Sequence, residues 1–202
     1  MTGRDFDPDL VDARRAAAIG ETKPHQVDSR TVHDGRIVHL SIDTARYPDG
    51  STGELELIRH SGASAVVPVL GEPGEPDPEV ILLRQFRYAA GGDIYEIPAG
   101  RPDRKGEPWD DVARRELEEE TGYVAGHLSR LTTIYTTPGF TDERIHLFLA
   151  TALSRGTTRL DDDEFVQVVT MRLSRVLQAT RDGSIIDAKS LCALLYYAAV
   201  VR

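Results

Sequence analysis

The stretch Arg115-Glu116-Leu117-Glu118-Glu119-Glu120 gathers four carboxylates inside five residues. On a helix, like charges three or four positions apart repel by roughly a few tenths of a kcal/mol per pair, so the cluster calls for a counter-charge. At about 100° per residue Glu116 and Glu120 fall about 40° apart, Glu119 flanks them and Glu118 points to the opposite side. Three hard oxygen donors on one face suit Mg²⁺ or Mn²⁺, ions that keep several waters and also bind substrate phosphates. Taken alone, ELEEE reads equally as a solvated helix face balanced by Arg114 and Arg115.

The helix that must carry these groups is predicted from Pro108 to Thr121, with Pro108 in its first turn and Gly122 as its C-terminal stop. Val112 and Leu117 turn its other face toward a core. Upstream, SRTVHDGRIVHLSIDTARY and GELELIRH alternate around PDGSTG, a pattern of antiparallel strands. SAVVPVL and VILLRQFRY, joined by the acidic loop GEPGEPDPE, read as a second hairpin-like pair, and DIYEIPAG as a short strand ending at Gly100. RLTTIYTT, RIHLFLATAL and QVVTMRLS are further strands, SRVLQATRDG a short helix and DAKSLCALLYYAAVV a C-terminal helix. This order predicts an α/β protein with helices packed on a mixed sheet. Residues 1–60 are assigned to an N-terminal arm and β-strand segment, and 61–202 to a catalytic domain.

Composition narrows the function classes. The chain has 202 residues, 40% of them hydrophobic, enough for one sizeable core, and its net charge of −9 gives no footprint for nucleic acid or an anionic membrane. An anionic substrate would need a metal or local arginines. The N-terminal stretch lacks the apolar centre of a signal peptide, and the run Leu191–Val201 is well short of the roughly 18 residues of a membrane span, so a soluble protein is expected. One cysteine, Cys192, excludes an intramolecular disulfide and suits a reducing compartment, with the cytoplasm the simplest. Its spacing from Leu191, Leu194 and Leu195 reads as a buried small side chain. The histidines show no ligand spacing, and Trp109 is read as packing rather than a base-stacking platform.

Gly100, Glu107, Arg115-Glu116-Leu117, Glu119-Glu120 and Gly122-Tyr123, in that order, resemble the box of the Nudix hydrolases, G-x5-E-x7-R-E-U-x-E-E-x-G-U with U apolar or aromatic. Six residues, Arg101 to Gly106, separate Gly100 from Glu107 where the family pattern has five; the extra residue sits in the loop before the helix, where insertions are tolerated. The resemblance implies the Nudix fold, an α/β/α sandwich around a mixed sheet, and hydrolysis of pyrophosphate linkages in nucleoside diphosphates joined to another group. It implies Glu116 and Glu120 as principal metal ligands, Glu119 as a further ligand or water holder, and the carbonyl of Ala99 as completing the shell. Arg115 would orient the glutamates, Glu107 would support the loop, and Glu118 would be dispensable.

Pro138, sixteen residues beyond Gly122 in YTTPGFTDE, together with RQFRY and EIPAG, resembles the ADP-ribose pyrophosphatase subgroup. That resemblance implies ADP-ribose as substrate, Arg84, Arg87 and Gly139 at the substrate, with Arg87 on the pyrophosphate, and Glu143 near the terminal ribose. It also implies a homodimer with swapped N-terminal strands. Read without it, Arg84 and Arg87 are solubilising edge-strand charges, Glu143 a loop acid and Pro138-Gly139 a turn. The same resemblance implies a general base in the acidic run Asp161 to Glu164 before VQVVTMRL, with Asp162 the better alignment and Glu164 the longer reach; read without it, the run is a solvated loop. Another nucleotide sugar such as GDP-mannose is the alternative substrate, and a non-catalytic ADP-ribose sensor the alternative of another class, one that would not need the metal cluster.

Overall fold

The run ASAVVPVL becomes strand β4 (Ala63–Leu70), buried along nearly its whole length on both faces, the signature of a strand covered by layers on either side. It belongs to the larger of two compact units in a computed structural model that describes residues 25–71, 74–157 and 166–201. The smaller unit takes the described residues up to His60 together with Thr137–Glu143.

In the smaller unit, β1 (His25–Asp34), β2 (His39–Arg46) and β3 (Thr52–Arg59) form an antiparallel sheet in that order. The β2–β3 turn uses Gly50 at φ 86°, and the Asp49 carboxylate accepts the Ser51 N–H at 3.0 Å. Asp43 is buried on β2 and satisfied there by the hydroxyls of Ser29 (2.6 Å) and Ser41 (2.8 Å) and by the Arg59 guanidinium. The Ser29 hydrogen bond leads in holding its carboxyl below the usual range, with burial opposing. The segment Thr137–Glu143 joins this sheet through the Ile58 N–H, which donates to the Phe140 carbonyl at 2.8 Å.

In the larger unit the remaining strands are β5 (Glu79–Arg87), β6 (Gly92–Glu96), β7 (Ala99–Gly100), β8 (Tyr123–Tyr135), β9 (Arg144–Arg155) and β10 (Val166–Arg172). The order is β10-β5-β4-β9-β8, with β6 on β5 and β7 on β4. The sheet is mixed because β4 and β9 run parallel, from Ala63 opposite Ile145 to Pro68 opposite Ala150. Here the structure departs from the expected hairpin: β4 meets β5 only at Val69–Val80 and Leu70–Glu79, because a strand central to the sheet takes its long partner from far along the chain. β8 also starts earlier than its sequence pattern suggests, directly after Gly122.

Among the described residues, three α-helices flank the sheet: α1 (Trp109–Thr121), α2 (Leu173–Arg181) and α3 (Ala188–Tyr196). Alternation along β4 splits its side chains between two apolar clusters. Ala65, Val67 and Val69 join Leu82, Leu147, Val176 and Leu194 on the α2/α3 face, whereas Val66 joins Ala113, Leu117 and Phe148 on the α1 face. The larger unit is thus the α/β/α sandwich expected of the sequence. Cys192 is exposed rather than buried: the buried positions of α3 are Ser190, Ala193 and Leu194, which turn the helix so that Cys192 and Leu195 face outward. Among the described residues no helix is long and apolar enough to cross a membrane.

Candidate active site

Helix α1 begins with Asp110 and Asp111 in its first turn, where acids complement the helix dipole. Pro108 occupies the N-cap position, one residue before the predicted interior, without a side-chain cap. The helix ends at Gly122, whose φ of 70° lets its N–H return to the Glu118 carbonyl at 2.8 Å. Val112, Ala113 and Leu117 are fully buried. Glu116 and Glu120 project between the directions of Val112 and Ala113, so the apolar face that fixes the helix also buries the two carboxylates, to 9% and 3% exposure. Glu119, on the rim, keeps a third of its side chain exposed.

Arg115 ties this face together. Its Nη1 donates to Glu116 at 2.8 Å and to Glu119 at 3.0 Å, and its Nη2 to the Arg101 carbonyl at 2.8 Å. Its Nε lies 3.2 Å from the Asp103 carboxylate and 3.6 Å from that of Glu107, at ion-pair distance but without an aligned hydrogen bond. Burial works against the guanidinium charge, yet Glu116, Glu119 and Asp103 hold its pKa above the ordinary arginine value. Glu107 in turn accepts the Asp103 N–H at 2.8 Å, and its own N–H donates to the Arg104 carbonyl at 3.2 Å. The six-residue loop is therefore closed by its own groups, with Gly106 at φ 80° absorbing a turn.

Strand β7 supplies the floor of the site. The Ala99 N–H donates to Glu120 at 3.0 Å. An added Cβ on Gly100 would fall 1.9 Å from a Glu116 carboxylate oxygen, so glycine is required for the carboxylate to lie there. Glu118 leaves the cluster: its carboxylate lies beside Gly156 and accepts the Thr157 N–H at 3.4 Å. Trp109 stacks on His146 with ring centroids 4.2 Å apart and accepts the Ser64 hydroxyl on its carbonyl, so it serves as packing. Among the described residues, no three His, Cys, Asp or Glu side chains already form a metal cage; Arg115 and the Ala99 N–H hold the carboxylates instead. The donor set nevertheless fits a hard divalent cation: two buried carboxylates one turn apart, a third on the rim, and a glycine that leaves room for them.

The anticipated substrate arginines separate. Alternation puts Arg84 and Arg87 on opposite faces of β5; Arg84 pairs with Asp93 at 2.8 Å. Arg87 makes a bidentate pair with Glu96, Nε at 3.0 Å and Nη2 at 2.7 Å, and these bonds raise its pKa against the effect of burial, helped by Glu120. Glu96, 3% exposed, was not singled out by sequence reasoning, nor was Lys189, whose Nζ reaches it at 3.1 Å. The only sequence signal for either is the position of Glu96 at the head of EIPAG. Gly139 and Glu143 belong to the smaller unit, where Glu143 pairs with His60 at 3.3 Å and donates its N–H to the Thr141 hydroxyl oxygen at 3.2 Å. Asp162 and Glu164 lie outside the described residues.

A sandwich with this helix, this loop and this carboxylate face defines a Nudix hydrolase. The NUDIX domain model matches residues 60–193, and the chain belongs to that family. It is 39% identical over 167 residues, 82% of its own length and 87% of the other, to an ADP-ribose pyrophosphatase of Bacillus subtilis (strain 168). It is 37% identical over 172 residues, 84% and 90% of the two lengths, to a methanol dehydrogenase activator of Bacillus methanolicus. A GDP-mannose pyrophosphatase of Klebsiella pneumoniae is 35% identical over 126 residues, 58% of this chain and 63% of that protein. The crystal structure of an ADP compounds hydrolase shares the fold, with a TM-score of 0.73 at 22% identity over 88% of this chain and 93% of that one.

Proposed function

We propose that the chain hydrolyses the pyrophosphate bond of ADP-ribose to AMP and ribose 5-phosphate with the help of Mg²⁺, or Mn²⁺ in its place. The observation that carries this reading is the buried Glu116–Glu120 pair against the Ala99 segment, in a chain whose ADP-ribose pyrophosphatase relative matches it over most of both lengths. Glu116, Glu120, Glu119 and the Ala99 carbonyl would hold the cation, which supplies charge neutralisation at the pyrophosphate and acidification of water. Arg115 keeps Glu116 and Glu119 aimed. Arg87, whose side chain is 44% exposed, binds the pyrophosphate. Glu143 and Gly139 serve the terminal ribose, and Arg84 a more distant part of the substrate. The N-terminal strands exchange across a homodimer, covering sheet edges that would otherwise stand open. The single cysteine fits a reducing, cytoplasmic setting.

A residue between Asp161 and Glu164 takes the proton of the attacking water. Asp162→Asn and Glu164→Gln should then lower turnover unequally, the larger loss lying between about tenfold and a thousandfold, since a general base typically contributes 10²- to 10⁴-fold. Near wild-type turnover in the double variant would remove the loop from the mechanism and leave Glu119 as the base.

GDP-mannose is a second reading, favoured by the GDP-mannose pyrophosphatase relatives. Product analysis over a panel of nucleotide sugars, with and without Mg²⁺, separates the two. AMP and ribose 5-phosphate from ADP-ribose as the fastest reaction is the expected result. Faster release of GMP from GDP-mannose would transfer the assignment, and binding of ADP-ribose without any hydrolysis would make the chain a sensor.

A further inference from the structure

Glu96 is a buried carboxylate with two cationic partners from distant parts of the chain. Arg87, from β5, holds it bidentately at 3.0 and 2.7 Å. Lys189, from the first turn of α3, reaches it at 3.1 Å and reaches the helix N-cap Asp187 at 3.0 Å. The two cations differ in surroundings: the Lys189 side chain is 12% exposed, whereas that of Arg87 is 44% exposed. α3 is locked onto the same strand segment a second time, because the Ile97 N–H donates to the Ser190 hydroxyl at 2.9 Å and that hydroxyl donates to Asp187 at 2.6 Å. Two residues further on, the Ala99 N–H holds Glu120. Four consecutive residues, Glu96 to Ala99, thus join the start of α3 to Arg87 on one side and to the box helix on the other.

A buried carboxylate that loses its only cation is strongly disfavoured. If Arg87 were the sole partner of Glu96, its fork could turn toward a substrate anion only by leaving that charge uncompensated. We propose that Lys189 is a positioning residue for the hydrolytic reaction: it compensates Glu96 from the inside, so that the half-exposed Arg87 is free to engage the phosphates of a nucleoside diphosphate. Lys189 does not touch substrate; it sets how tightly Glu96 retains Arg87. The inference rests on the proposed assignment of Arg87 to the pyrophosphate.

The test compares Lys189→Met, Lys189→Arg, Glu96→Gln and the Glu96→Gln/Lys189→Met double variant. The first readout is steady-state kinetics on the best substrate of the nucleotide-sugar panel. The second is calorimetric binding of ADP in EDTA, which needs neither a metal nor turnover. Loss of the Lys189 charge should raise KM about tenfold with little change in kcat, the pattern of weakened substrate binding, and weaken ADP binding to the same degree. Lys189→Arg should restore both. In the Glu96→Gln background, Lys189→Met should add no further loss, since the charge that Lys189 balances is gone. The double variant leaves no uncompensated buried carboxylate at position 96 and keeps the test open if Lys189→Met alone folds poorly.

A KM unchanged by Lys189→Met, a loss not rescued by arginine, or an equal loss in the Glu96→Gln background would each overturn the proposal. ADP binding insensitive to Arg87→Ala would also overturn it, while leaving the hydrolytic reading to stand on the panel. Failure of the whole panel with ADP binding still sensitive to Arg87 and Lys189 would sink the hydrolytic reading and spare the linkage.

Discussion

The two faces of the central sheet are built from the same strands and do different things. Toward α2 and α3 the side chains of Val67, Val80, Leu82, Leu147, Val176 and Leu194 form a continuous apolar layer with almost no solvent exposure. Toward α1 the apolar cluster is small, and the same face buries Ser64, His146, Glu116 and Glu120. Glu96 is buried at the border of the two faces: its register partner Leu83 alternates with Leu82 of the first layer and its neighbour Ile97 is a member of that layer, while Lys189 of α3 reaches its carboxylate. Burial supplies stability on one face at about 25 cal/mol per Å² of apolar surface. On the other it withdraws charges from water, which strengthens their mutual interactions and makes each unpaired one costly. The site is therefore assembled on the less self-sufficient face, and the opposite layer holds the strands in register beneath it.

The largest expected effect tests the chemical face. Glu120→Gln keeps size and burial but removes a charge, and should lower turnover by roughly two orders of magnitude or more, given that such electrostatic stabilisation is worth several kcal/mol. Its thermal midpoint should stay near wild type, as measured by calorimetry. A variant that lost its fold together with its activity would show that the α1 face is needed for stability as well. The next effect tests the apolar face. Leu147→Ala should cost about 2–5 kcal/mol of unfolding free energy in urea titrations while folded molecules retain their turnover. A collapse of turnover in a still-folded variant would mean that the layers are mechanically coupled. The smallest effect concerns the back of the box helix: Glu118→Gln should change stability by less than about 0.5 kcal/mol and leave turnover close to wild type. A loss matching that of Glu120→Gln would contradict the observed direction of the Glu118 side chain.

The elements that organise chemistry locally were the ones readable in the sequence. The box helix announces itself through the spacing of Val112, Leu117 and the glutamates and through the stop at Gly122, all of which depend on residues within a few turns of one another. The partner of β4 was not readable, because a parallel pairing between residues 63 and 145 leaves no local signature and the nearby strand β5 offers a simpler hairpin. The Arg87–Glu96–Lys189 relay was hidden for the same reason. A glutamate in a short strand and a lysine in a C-terminal helix look like ordinary surface charges until the fold buries them side by side. Cys192 was misjudged because apolar residues occupy almost every position of DAKSLCALLYYAAVV, so periodicity alone could not fix which side of the helix meets the sheet.

That outward-facing thiol gives the chain a practical property. With one cysteine in the whole sequence, exposed and one helical turn beyond Lys189, a maleimide dye or spin label attaches at a single site without prior mutagenesis. Such a reporter would sit on the helix whose first turn anchors Glu96, so a change in its signal on adding substrate would show in real time whether α3 responds to capture.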